Sequence, residues 1–170
     1  ERALTGLIAA AGWKLNGWSL EEFTGLRWKG QQEKAAKGDA WVGLGKLDFT
    51  IEAKVRWPQS TSLNSWQNHV EKGIEEARQQ LECLDPNYKA RTTKTAVCYV
   101  VPEIHISKFS KERSEIISMF ENLPEVIHTT QTVAASYWYT QNPPKSKNQK
   151  DGKFYGYPGL IVVARFWGKI

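Results

Sequence analysis

The sequence predicts a single α/β domain, with helices packed against a mixed sheet, over its 170 residues. Three segments carry this prediction: an alternating strand at 47–56, an amphipathic helix at 62–85 and a continuous apolar run at 95–104. A strand, a helix and a buried strand in that order are typical of a crossover between parallel strands. A tight turn joins the alternating strand to an earlier one, which requires antiparallel pairing, so we expect both directions in one sheet.

The composition indicates a soluble globular protein, with 41% hydrophobic and 24% charged residues. No apolar run approaches the roughly 20 residues that a membrane-spanning helix needs, so we expect no membrane partner. Residues 1–12 predict a helix rather than a signal peptide, because they are short and lack a cleavage-site pattern. Cys83 and Cys98 sit in apolar patterns that favour buried, reduced thiols, which predicts a cytoplasmic location.

The N-terminal third predicts two helices and then a hairpin. In chain order these elements are a helix over residues 2–11 that ends near Gly12, a short helix around Leu20–Leu26 and strands at about 39–44 and 47–56. Gly45 and Lys46 form the predicted turn between the two strands.

The remaining residues predict the other half of the sheet. The helix over residues 62–85 presents an apolar stripe at three- and four-residue intervals, namely Leu63, Trp66, Val70, Ile74, Ala77, Leu81 and Leu84. The apolar run at 95–104 is typical of a strand that is buried on both faces. A helix at about 110–122 and strands at about 127–139 and 154–167 complete the fold, with a basic loop at 142–153 between those strands.

The polar face of the alternating strand raises the question of function. A two-residue turn places Trp41 opposite Thr50 and Asp39 opposite Glu52, with the Cβ atoms of opposed residues about 4.5–5.5 Å apart. Two carboxylates in such positions repel each other unless a cation lies between them. Mg²⁺ or Mn²⁺ is suited to hard oxygen ligands, and Lys54, farther along the same face, adds an ammonium group.

This arrangement carries a resemblance to a known family. Asp39, then twelve residues, then Glu52-Ala53-Lys54 on a strand, followed by an amphipathic helix and a buried strand, resembles the PD-(D/E)XK nuclease superfamily. The resemblance covers about residues 1–106 and implies a restriction endonuclease-like mixed sheet flanked by helices. The implied core is of the αβββαβ type, with additional C-terminal strands.

The resemblance also implies Mg²⁺- or Mn²⁺-dependent hydrolysis of phosphodiester bonds. Asp39 and Glu52 would bind the metal together with the carbonyl of Ala53. Lys54 would orient or deprotonate the attacking water and offset the developing negative charge.

Several alternatives stay open within this interpretation. Gly38 stands where the family pattern has proline, and no Gln-x-x-x-Tyr signature follows in the 62–85 helix, so the subfamily is undefined. Glu22 or Glu33 could supply a further carboxylate. Asp48 is a rival to Asp39, but it lies about 13 Å from Glu52 along the strand, at about 3.3 Å per residue, which is too far to share one ion.

The charge distribution points to nucleic acid as the partner. The formal net charge is +5, and the 142–153 segment holds four lysines, Lys145, Lys147, Lys150 and Lys153, against the single acidic residue Asp151. Such clusters can contact phosphates, although a merely solvated loop is an equal alternative. Trp41 either stacks on a base or forms a wall of the site.

A metal-dependent nuclease is therefore the preferred function, with DNA favoured over RNA as substrate. The alternative is a catalytically inactive nucleic-acid-binding or assembly module of the same fold, and a third reading is a structural or protein-interaction domain. Retention of Asp39, Glu52 and Lys54 favours catalysis over binding alone. A homodimer or a larger defence or repair assembly would be compatible with any of these functions.

Overall fold

The structure, a computed structural model, describes residues 2–22, 24–29, 32–84, 92–127, 133–140, 142–148 and 151–167. The chain forms two compact units. The first contains Glu1–Lys54, Ile74–Val97 and Ala164–Ile170, and the second contains Val55–Gly73 and Cys98–Val163. Each unit therefore joins segments that are distant in sequence.

The described residues form four helices and eleven strands. The helices are α1 (Arg2–Lys14), α2 (Leu63–Glu82), α3 (Ile106–Lys111) and α4 (Arg113–Ile127). The strands are β1 (Trp18–Glu21), β2 (Thr24–Lys29), β3 (Gln32–Lys37), β4 (Ala40–Leu44), β5 (Leu47–Arg56), β6 (Thr93–Val100), β7 (Ile104–His105), β8 (Val133–Tyr139), β9 (Lys145–Lys147), β10 (Phe154–Gly156) and β11 (Gly159–Trp167). None of the helices in these described segments is long and apolar enough to cross a membrane.

The largest sheet has six strands in the order β1-β4-β5-β6-β11-β8. It confirms the predicted α/β fold with a mixed sheet. Helix α1 packs against β1 and β4, and α4 packs against β8. The β1–β4 and β4–β5 pairs are antiparallel. Beyond β5 and β6, the N–H groups of Val101 and Glu103 donate to the carbonyls of Arg56 and Pro58, each at 2.9 Å. From the first bond to the second, the donor and the acceptor both move two residues toward the C-terminus, so these two segments run parallel.

The order of elements around β5 is informative. Helix α1, the antiparallel strands β1, β4 and β5, helix α2 and strand β6 follow one another along the chain, with the β2–β3 hairpin inserted between β1 and β4. Helix α2 thus connects two strands that are neighbours in the sheet. Its predicted apolar stripe is buried at Trp66, Val70 and Ile74, which confirms the helical period read from the sequence.

The first helix extends past its predicted end near Gly12. Asn16 adopts a left-handed conformation with φ 58°, and its N–H donates to the carbonyl of Trp13 at 3.0 Å. The N–H of Gly17 donates to the carbonyl of Gly12 at 3.0 Å, which completes a Schellman cap. Asn16 therefore ends the helix, and Gly12 lies buried within it.

The predicted short helix around Leu20–Leu26 is wrong. Trp18–Glu21 forms β1 and pairs with β4, while Thr24–Lys29 forms β2 and pairs with β3. Pairing with neighbouring strands satisfies the backbone of these short segments, and tertiary context of this kind outweighs weak local helix propensity.

The C-terminal elements also differ from their predicted bounds. Helix α4 continues through Pro124 to Ile127, so the strand predicted from residue 127 begins instead at Val133. The predicted basic loop is partly a hairpin, because β9 pairs with β10 in a second sheet of order β7-β10-β9. Cys98 is buried as expected, whereas Cys83 is exposed just beyond the end of α2.

Candidate active site

The β4–β5 hairpin has the predicted register. Leu44 pairs with Leu47, Trp41 with Thr50, and Ala40 with Ile51. Gly45, the first residue of the two-residue turn, has φ +62°, a conformation that glycine adopts at little steric cost. The turn chemistry read from the sequence therefore sets the register that brings the start of β4 beside Glu52.

Asp39 contacts β5 through its side chain. Strand β4 begins at Ala40, one residue later than predicted, and the ladder with β5 ends at the Ala40–Ile51 pair. Past that pair, the N–H of Ala53, two residues beyond Ile51, donates to Oδ2 of Asp39 at 2.7 Å. The ladder therefore stops short of the expected Asp39–Glu52 pair, and the Asp39 carboxylate contacts β5 at the neighbouring Ala53.

Glu52 and Lys54 form the polar centre of the site. Glu52 is only 3% exposed, so the polar face of β5 is not a solvated surface. Nζ of Lys54 lies 3.4 Å from Oε1 of Glu52 and 2.9 Å from the carbonyl oxygen of Ala53. A buried carboxylate is costly unless it is paired, and the ammonium of Lys54 supplies a partner.

The donor set fits a hard divalent cation. The Lys54 ammonium shows that a carboxylate oxygen of Glu52 and the Ala53 carbonyl can both reach one positive charge. Asp39 is held against the N–H of that same Ala53. Carboxylate and carbonyl oxygens are the ligands that Mg²⁺ and Mn²⁺ prefer. Within the described segments no three His, Cys, Asp or Glu side chains form a metal-binding group.

The backbone places Glu22 beside Asp39. Its N–H donates to the carbonyl of Asp39 at 2.9 Å, and its φ of 48° is uncommon for a residue other than glycine. Glu22 directly follows β1, so it does not lie on the helix that was predicted around Leu20–Leu26. Glu33 lies in β3, and its side chain is outside the described part of the structure. Asp48 pairs with Gly43, toward the turn end of the hairpin.

Aromatic rings cover the hairpin near its centre. The ring centroids of Trp18 and Trp41 are 5.1 Å apart in an edge-to-face arrangement, and Trp41 is half-buried. This contact favours the wall interpretation of Trp41 over base stacking. Sequence reasoning missed Trp18, which pairs with Gly43 across β1 and β4. Thr50 is also buried, and its hydroxyl donates to Oγ1 of Thr92 at 2.8 Å.

The predicted phosphate-contacting lysines belong to the second unit. Lys145 and Lys147 lie on β9, Lys153 precedes β10, and all three are exposed. Lys150 lies outside the described residues. The structure thus brings Asp39, Glu52, Ala53 and Lys54 together in the first unit and gathers the described lysines on a separate hairpin.

Comparisons of the chain with protein-family models, with curated proteins and with solved structures found no match.

Proposed function

We propose that this protein is a Mg²⁺- or Mn²⁺-dependent nuclease of the PD-(D/E)XK type, which hydrolyses phosphodiester bonds of nucleic acid, with DNA as the favoured substrate. One observation carries the proposal: the Lys54 ammonium contacts both Glu52 Oε1 and the Ala53 carbonyl. Two of the expected metal-ligand oxygens thus already reach a common positive charge. Asp39, the third expected ligand, is bonded to the backbone of Ala53.

The order of elements supports the proposal. An αβββαβ core is what the resemblance implies, and α1, β1, β4, β5, α2 and β6 follow that order. Asp39 then immediately precedes the second core strand, and Glu52 lies in the middle of the third. This likeness in connectivity bears on fold alone, so the assignment of activity depends on the site.

The residues of the site have distinct roles in the proposed reaction. A bound divalent ion would polarise the phosphate and lower the pKa of a water molecule. Asp39 and Glu52 would hold that ion through carboxylate oxygens, together with the carbonyl of Ala53. The ammonium of Lys54 would orient the attacking water and offset charge that develops on the phosphate.

A second function has its own support. The Lys54–Glu52 ion pair satisfies a buried carboxylate without any metal, and only 14% of the Lys54 side chain is exposed. Such a pair is compatible with a catalytically inactive nucleic-acid-binding or assembly module that retains these residues for structure. The two functions differ in whether Glu52 and Lys54 bind a divalent ion and support cleavage.

Incubation with plasmid, linear DNA and RNA tests the proposal, with Mg²⁺, Mn²⁺ or EDTA in parallel reactions. A nuclease cleaves DNA in the presence of either ion and is inactive in EDTA. Binding of DNA without cleavage under every condition would favour the inactive module instead.

A further inference from the structure

The β9–β10 hairpin presents two different faces. Lys147 pairs with Phe154, Ser146 with Tyr155, and Lys145 with Gly156. Directly opposed residues share a face of a sheet and successive residues alternate between faces. Lys145, Lys147 and Phe154 therefore share one face, which we call the lysine–phenylalanine face, and Tyr155 belongs to the other.

The Tyr155 face is anchored to the rest of its unit. Tyr155 is buried, and its ring packs edge-to-face on His105 with centroids 5.6 Å apart. Its hydroxyl donates to Oδ2 of Asp151 at 2.7 Å, and the N–H of Lys153 donates to Oδ1 at 2.9 Å. The hydrogen bond from Lys153 is the larger cause, and the one from Tyr155 the next, that holds the pKa of Asp151 below its ordinary value. The acidic residue of the hairpin is therefore directed toward Tyr155.

On the lysine–phenylalanine face, by contrast, all three side chains are exposed, although Pro143 packs over the Gly156 end of that face. Phe154 is 53% exposed although it is a large apolar side chain, and it makes no ring contact within the described residues. Lys145 and Lys147 are also exposed, and neither pairs with an acidic side chain in the described part of the chain. The two lysines are two residues apart on a strand, about 7 Å along it, which suits contact with neighbouring phosphates of an extended chain.

We propose that this face binds single-stranded nucleic acid, with a base stacked on Phe154 and phosphates on Lys145 and Lys147. Paired bases in a duplex are stacked on one another and do not offer a face to a protein surface ring, whereas unpaired bases do. The anchored Tyr155 face holds the hairpin in place before binding, which reduces the entropy lost on association. As a statement about substrate, the inference rests on the proposed nuclease function, but the binding itself requires no metal.

Fluorescence anisotropy with a labelled dT oligonucleotide of about ten nucleotides, in EDTA, tests the proposal. We expect tighter binding of this strand than of a duplex of equal length. Phe154→Ala should weaken the single-strand affinity by about 5- to 150-fold, the equivalent of about 1–3 kcal/mol, while Phe154→Trp retains it. Trp13→Ala, which removes an exposed aromatic from α1, is the matched control and should leave affinity unchanged.

The lysines are tested by salt dependence. Lys145→Ala with Lys147→Ala should reduce the slope of log affinity against log salt by about 1.4, since each phosphate contact on a single strand contributes about 0.7. Lys108→Ala with Lys111→Ala, two exposed lysines of α3, is the matched control. Melting temperatures should confirm that every variant is folded.

The outcomes separate this inference from the nuclease proposal. Equal binding of the oligonucleotide by wild type and Phe154→Ala would overturn the inference, even if the protein cleaves DNA. A preference for duplex would do the same. The inference would also fail if neither protein bound the oligonucleotide and both bound the acidic polymer polyglutamate equally well. Loss of single-strand affinity in Phe154→Ala would support it, even if no cleavage is seen with any divalent ion.

Discussion

The ammonium of Lys54 lies 2.9 Å from the carbonyl oxygen of Ala53, the residue that precedes it on β5. The same ammonium reaches Glu52 Oε1 at 3.4 Å, so one side chain bridges two oxygens that we assign to a divalent ion. A divalent ion held by these oxygens would therefore compete with Lys54 for Glu52 and Ala53, and its binding would displace the ammonium.

Removal of the Lys54 ammonium should separate metal binding from catalysis. Lys54→Ala leaves the proposed ligands in place and removes their competitor, so calorimetry should show Mn²⁺ affinity equal to or higher than that of wild type. Cleavage should fall by about 100-fold or more, because one preorganised electrostatic group is lost. Lys46→Ala, in the exposed β4–β5 turn, is the control. Wild-type cleavage by Lys54→Ala would refute the role of Lys54.

Asp39 should respond differently to two substitutions. Asp39→Asn keeps an oxygen that can accept from the N–H of Ala53, so the fold should be retained while Mn²⁺ affinity and cleavage fall. Asp39→Ala leaves that N–H without its acceptor, and we expect a further loss of about 1–3 kcal/mol in unfolding free energy. Urea unfolding and calorimetry measure the two effects. Equal stability of both variants would contradict a structural role for the hydrogen bond.

Gly43 should be required for the packing of Trp18. A Cβ atom at Gly43 would collide with the indole of Trp18, so Gly43→Ala must displace that ring or the strand beneath it. Gly45→Ala is the matched control, because a Cβ there meets open space and only the positive φ is unfavourable, a cost of about 1 kcal/mol. We expect Gly43→Ala to destabilise the protein more than Gly45→Ala in urea unfolding. The reverse order would contradict the packing described for β1 and β4.

His69 should make stability depend on pH. Burial, and then the positive charges of Arg56 and Lys72, lower the pKa of His69 below its ordinary value of 6.5. As the pH falls through 6.5, the unfolded chain therefore takes up a proton before the folded protein does, and stability is lost toward acid pH. His69→Gln should lose less unfolding free energy than wild type between about pH 7.5 and 5. Parallel pH dependences for the two proteins would refute this origin.

The periodic elements of the fold were accessible from sequence, and the short paired strands were not. Strand β5 and helix α2 follow from clear periods of two and three to four residues, and the Gly45 turn fixed the register with β4. Strands β1 and β2 alternate apolar and polar residues over only four positions each, Trp18–Glu21 and Leu26–Lys29, which is too short for the period alone to separate a strand from a turn of helix. Helix α4 continues past Pro124 because Leu123 and Ile127 are buried, which offsets the missing backbone donor.

The grouping of Asp39, Glu52 and Lys54 was also predictable, since alternation and turn length decide which residues meet. The hydrogen bond from Ala53 to Asp39 was not, because it depends on where the β4–β5 ladder stops. The left-handed backbone of Glu22 beside Asp39 likewise has no local sequence signal, since glycine or asparagine would be the usual residue there.

The most direct test of the central claim is the initial rate of DNA cleavage in Mn²⁺ by wild type, Glu52→Gln and Asp48→Asn. Glu52→Gln removes the charge of a proposed metal ligand, whereas Asp48→Asn removes one carboxylate toward the turn end of the same strand, where it pairs with Gly43. The account predicts cleavage by wild type and Asp48→Asn at similar rates, and a loss of about 100-fold or more in Glu52→Gln. Cleavage by Glu52→Gln at the wild-type rate, or no cleavage by the wild type, would contradict it.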